Sequence, residues 1–186
     1  MHASPILCRA LFLGFCASLV LPGPCCRPAL AAPACPGVAS AKPQDYAKRA
    51  AAALATTPPD GATAAACLHA AEAAGDPGAA VVLGFITAAG LDGPPDPTRA
   101  AAAYFRAADA GSPQGVLAVG LAFAHGAGVP ADAYWAYWFC RRAESLGGLS
   151  EIEAATAREA IATAGAALNP AERAMLDGNL VGDTPP

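Results

Sequence analysis

Slid thirty-six residues along itself, the chain brings its glycines and helix-starting aspartates into register: Gly75 with Gly111 and Gly147, Gly84 with Gly120, Gly90 with Gly126, and Asp60 with Asp96 and Asp132. A repeat of this length encodes one helix pair. A single pair cannot bury its own apolar face, so a core forms only where neighbouring pairs stack. The fold class that follows is all-α: a solenoid of antiparallel helix pairs with a helical C-terminal cap. Such an array has no single central site and works by presenting a surface.

The helix starts are written locally. Asp76-Pro77, Ser112-Pro113 and Asn169-Pro170 each put a side-chain acceptor at the N-cap and a proline at the first helical position, where its missing N–H costs nothing. Asp96-Pro97 repeats the device, and Asp132 is its counterpart one period later. Two interleaved series of starts mean two helices per repeat, A then B. Helix A ends in a glycine-containing turn, at 90–95 or 126–130, and helix B stops at Gly111 or Gly147. The spacing predicts a repeat domain over 45–181. It comprises a degenerate repeat at 45–75, full repeats at 76–111 and 112–147, and cap helices at 148–181, followed by a tail at 182–186. Asn169 to Glu172 has the spacing of a capping box.

Small residues mark the predicted helix crossings. On helix B, Ala136, Phe139, Cys140 and Ala143 share one face, as do Ala100, Ala103, Tyr104 and Ala107 one period earlier. Gly84 and Gly120 lie inside helix A, where glycine costs about 1 kcal/mol against alanine. Close approach of the facing helix is the expected reason for both.

Residues 1–31 read as an export signal, with Arg9 ahead of an apolar stretch at 10–21 and a small-residue cleavage site at Ala29-Leu30-Ala31. Residues 32–44 then form a linker. The expected location is periplasmic or secreted, and no later run is long and apolar enough to span a membrane. Loss of Arg9 and Arg27 takes the formal net charge from -4 to about -6, and the remaining basic residues are scattered. That argues against a nucleic-acid partner, which needs a clustered basic face. Four of the 7 cysteines leave with the signal, and Cys35, Cys67 and Cys140 remain. Cys140 falls on the buried stripe and reads as a small core hydrophobe. Cys35 and Cys67 are then expected to pair, tying the N-terminal segment to the first helix pair.

Nothing in the chain spells out chemistry. Cys67 and His69, two apart on a helix, point to different faces, so no metal site is expected. The chain lacks the Gly-x-Ser-x-Gly, Ser-x-x-Lys and His-Glu-x-x-His signatures of nucleophilic and zinc-dependent hydrolysis. Gly126-Ala127-Gly128 is not followed by the Lys-Ser/Thr of a phosphate loop, and the repeat already accounts for it. No catalytic residue and no cofactor are expected.

Two candidate binding surfaces remain. One is the aromatic run at 134–139, with Arg141 and Arg142 following, since aromatics beside arginine are common at binding hot spots. Trp135 or Tyr137 could instead pack against the next helix, which leaves Tyr134 and Trp138 as the better surface candidates. The other is the inner face of the A helices. There Gln114, Ala118, Leu121 and His125 project away from the buried stripe, and Val82 and Phe85 hold the positions of Ala118 and Leu121 one repeat earlier. A shallow apolar groove on that face would suit an extended or helical segment of a protein partner.

Leu83-Gly84, Gly90, Asp96, Arg99-Ala100, Tyr104, Arg106-Ala107-Ala108 and Gly111 recur as Val119-Gly120, Gly126, Asp132, Ala136, Phe139, Arg142-Ala143 and Gly147. This pattern resembles the Sel-one-like repeat, a relative of the tetratricopeptide repeat. The resemblance implies a right-handed superhelix and an adaptor role in protein complexes, here placed in the cell envelope. Cysteine-rich exported relatives of this repeat imply an alternative, binding or hydrolysis of β-lactams; a structural subunit of an envelope complex is a third reading. The cysteine-rich relatives carry a regular cysteine pair in each repeat, whereas Cys67 and Cys140 occupy non-equivalent positions. Gly93 also stands one position late for the family's second turn glycine.

Overall fold

The computed structural model describes residues 35–38 and 42–179. The export signal at 1–31, residues 32–34 and 39–41 of the linker and the tail at 182–186 lie outside the described residues. Among the described residues there are eight α-helices and no strand: α1 (Pro43–Leu54), α2 (Gly61–Ala73), α3 (Pro77–Ala88), α4 (Pro97–Asp109), α5 (Pro113–His125), α6 (Ala133–Leu146), α7 (Glu151–Ala167) and α8 (Pro170–Asn179). Consecutive helices pack as pairs, and α3 also meets α5, which meets α7. The result is a solenoid of helix pairs in which α1, α3, α5 and α7 are the A helices.

Each start predicted from the sequence uses its cap. Asp96 Oδ1 accepts the Arg99 amide at 2.9 Å, Ser112 Oγ the Gly115 amide at 3.1 Å, and Asp132 Oδ1 the Tyr134 amide at 2.8 Å. Asn169 and Glu172 close their capping box, with both bonds at 2.9 Å. A second box opens α7, where Ser150 N donates to Glu153 Oε2 at 2.7 Å and the Glu153 amide donates to Ser150 Oγ at 3.3 Å. The pattern S-x-x-E is plain in the sequence, but the thirty-six-residue register does not reach it.

Gly84 and Gly120 make room on helix A for the facing side of helix B. A Cβ at Gly84 would run into the Tyr104 ring; at Gly120 it would lie 2.6 Å from Cys140 Sγ and 3.0 Å from the Cys140 amide nitrogen. In the paired stripes, Ala100, Ala103 and Ala107 are buried, as are Ala136, Cys140 and Ala143, while Tyr104 and Phe139 are half-buried. Burial without a partner pushes the Cys140 thiol from 9.0 to about 12, with Glu144 nearby acting in the same direction.

The joints between repeats are keyed. At each joint, the start of helix B in one repeat meets the A–B turn of the next. A Cβ on Gly61, at the start of α2, would fall on the Leu91 carbonyl and 3.0 Å from the Asp92 amide. At the following joint the small residue lies on the other side: a Cβ on Gly128 would fall on the Pro97 carbonyl and 2.9 Å from the Thr98 amide. Asp92, one period before Gly128, takes the place of the missing turn glycine. Its nearly buried carboxylate accepts from Thr87 Oγ1 and Arg99 Nη2, each at 3.0 Å.

The C-terminal end is aromatic. Trp138 is 4% exposed and Tyr137 is buried, packed in one cluster with Ala136, Ala164 and Leu176. This corrects the reading of Trp138 as a surface residue. The side chain is covered because Leu176, fully buried, brings α8 onto α6, a docking that no local pattern announces. Tyr137 OH donates to Asp177 at 3.1 Å, and Arg141 Nε reaches the same carboxylate at 3.2 Å.

Candidate functional site

The A helices present a run of apolar hollows. One, about 160 Å³, has Phe85 and Ala88 from α3, Tyr104 from α4, and Leu121 and His125 from α5 in its lining. Tyr104 reaches it because Gly84 leaves room for the ring, which meets Phe85 edge-on at 5.5 Å between centroids. Its hydroxyl and the His125 imidazole are the polar side-chain groups of an otherwise hydrocarbon lining. Burial raises the Tyr104 phenol above its usual range, so it is a neutral donor and acceptor.

A second hollow, about 230 Å³, shares Phe85, Ala118 and Leu121 with the first and extends it to Gln114, Ile152, Glu153 and Thr156. The two form a continuous groove across α3, α5 and α7. Phe85 is 58% exposed and Ile152 80% exposed, an unusual amount of hydrocarbon to leave in water. Gln114 is committed elsewhere, its Nε2 donating to Gly148 O at 3.0 Å. Glu153 is held by Ser150, which keeps its carboxyl below the usual range through hydrogen bonds to the backbone and side chain.

Four of the sequence candidates thus meet in one groove: Phe85, Gln114, Leu121 and His125. Val82 does not. It is exposed on α3 but lines a separate hollow of about 310 Å³ between α1 and α3. Ala118, read as projecting outward, is buried beneath the groove. Tyr134 and Trp135 are half-buried and lie apart from the groove, in edge contact with each other at 5.6 Å. Trp135 tilts over Phe123 at 6.2 Å and meets Trp138 edge-on at 6.4 Å, so this run is chiefly packing. Sequence reasoning missed Tyr104 and Ile152. Ile152 had a signal: it stands off the stripe Ala157, Ile161, Ala164 that α7 turns towards its neighbours.

No known family model matches the chain, and no curated protein does. Among solved structures, it is similar to a protective antigen of uropathogenic Escherichia coli that displays an SLR fold, with a TM-score of 0.63 and 18% sequence identity over 73% of this chain. The match spans 28% of that protein's length. At this identity the likeness shows the fold, a helical repeat of the Sel-one-like kind. No described helix is long and apolar enough to cross a membrane.

Proposed function

We propose that the chain is a Sel-one-like repeat module that holds an apolar segment of a protein partner in the α3–α5–α7 groove, without catalysis of its own. The observation that carries this reading is the continuity of Phe85, Leu121 and Ile152 across three helices. A partner would cover this exposed hydrocarbon at about 25 cal/mol per Å² buried. A helical or extended segment could set one apolar side chain in each hollow and lend a carbonyl to the Tyr104 hydroxyl. The signal-like 1–31 segment supports export to the periplasm or beyond, and with it a role in maintaining the cell envelope.

Crosslinking in the native envelope followed by mass spectrometry tests the surface. Phe85→Ala/Leu121→Ala and Ile152→Ala should lose the partner crosslinks, and Tyr134→Ala should keep them. Unchanged crosslinks in both groove variants, or β-lactam turnover abolished by a single side-chain change, would sink the proposal.

A further inference from the structure

The first helix pair is fastened differently from the rest. On α1, two alanines, Ala50 and Ala53, are buried, and the helix starts at Lys42 without a side-chain cap bond. Towards α3 it makes no tight seam, and the 310 Å³ hollow lies between Ala47 and Ala51 on one side and Ala79 and Val82 on the other. What holds α1 from the N-terminal side is a strap at 35–38. Cys35 is bonded to Cys67 in α2, both sulfurs sit in the core with Leu68 and Leu83, Val38 packs beside them, and Arg49 Nε donates to Pro36 O at 3.2 Å. By contrast, α2 has six buried residues, and its Glu72 pairs with Arg106 of α4 at 2.7 Å.

We infer that the first helix pair is a redox-conditioned end of the array: the Cys35–Cys67 bond keeps the strap seated, and its reduction releases the strap and loosens α1, which is left with its packing on α2 alone. The reductant is a dithiol. Its thiolate attacks Cys35 Sγ, in the less buried of the two residues, and Cys67 leaves as a thiolate and takes up a proton. The second thiol then displaces Cys35, which is protonated in turn. The protein disulfide gains two electrons and two protons, and the dithiol becomes a cyclic disulfide. Release follows because the bond closes a loop of 32 residues in sequence, and without it the strap has its few side-chain contacts alone to offset its disorder.

Peptide-resolved hydrogen exchange on the full chain, with and without a dithiol, reads this directly. Exchange in 35–54 should accelerate on the order of a hundredfold on reduction, while α5 and α6 keep their protection, and reoxidation should restore the slow state. Cys35→Ala should exchange like the reduced protein and ignore the dithiol. Equal protection of 35–54 in both redox states would overturn the inference, as would loss of protection in every helix together. So would an intact mass showing two free thiols at Cys35 and Cys67 in the oxidised protein.

Discussion

At the N-terminal end, the core around α1 and α2 is built from alanines, Leu68, Leu83, Ile86 and a cystine. At the C-terminal end, α6, α7 and α8 close over Tyr137, Trp138 and Leu176. Both ends face the same difficulty: a terminal repeat lacks a neighbour to cover it. One end meets it with a covalent staple that limits the unfolded chain, at an entropic advantage of about 3–4 kcal/mol for a loop of this length. The other meets it with large apolar side chains, where each buried ring contributes through area and contact. The two solutions respond to different conditions, since a staple is sensitive to redox state and an aromatic core is not.

The sharpest way to break the contrast is to empty the aromatic end. Trp138→Ala should cost about 3–5 kcal/mol in chemical denaturation, whereas Leu68→Ala, in the stapled core, removes a smaller side chain and should cost about 2–3 kcal/mol. Equal losses would mean that the N-terminal core depends on its side-chain packing as much as the aromatic end does.

Alkali should act at the α5–α6 seam, in a core cluster separate from the cystine and from Trp138. The Cys140 thiol has its pKa raised by folding, so above pH 9.0 the unfolded chain gives up that proton first. Stability from this group is therefore intact at neutral pH and falls as pH rises from about 9 towards 12, by about 1.4 kcal/mol per unit. Cys140→Ala should flatten that part of the pH profile, measured by denaturant titration at several pH values.

Three smaller effects test the helix contacts. Gly120→Ala should destabilise by about 1–3 kcal/mol, because its Cβ meets the Cys140 amide as well as the sulfur. Gly84→Ala should cost less, since the atoms it meets belong to a side chain that can swing towards the groove; thermal melts of the pair give the order. Asp177→Ala should cost least, about 1 kcal/mol, through the part-buried bond to Tyr137 and the exposed bond to Arg141.

The sequence disclosed what is decided within a few residues. N-caps bond two or three positions ahead, and turn glycines answer to local backbone angles, so the helix starts and the A–B turns could be placed without the structure. Phe85, Leu121 and His125 were readable as one face because the period fixes which side of helix A each occupies. Trp138 was misread for the opposite reason. Its burial depends on α8 folding back, and the docking of a terminal helix is set by Leu176 and Asp177, some forty residues away. Tyr104 was read as a core residue of the stripe, and its second role as the polar group of the groove depends on Gly84 opposite.

The keyed joints also set how this array can grow. Lengthening it by copying residues 112–147 would place the Gly128 turn against Ala133, a small residue against a small residue, and the joint would close. Copying 76–111 would set Leu91 and Asp92 against Pro97, with no glycine on either side to admit them. Only one of the two full repeats is a unit that can follow itself. An array lengthened with a second copy of 112–147 should therefore resist denaturation better than one lengthened with a copy of 76–111.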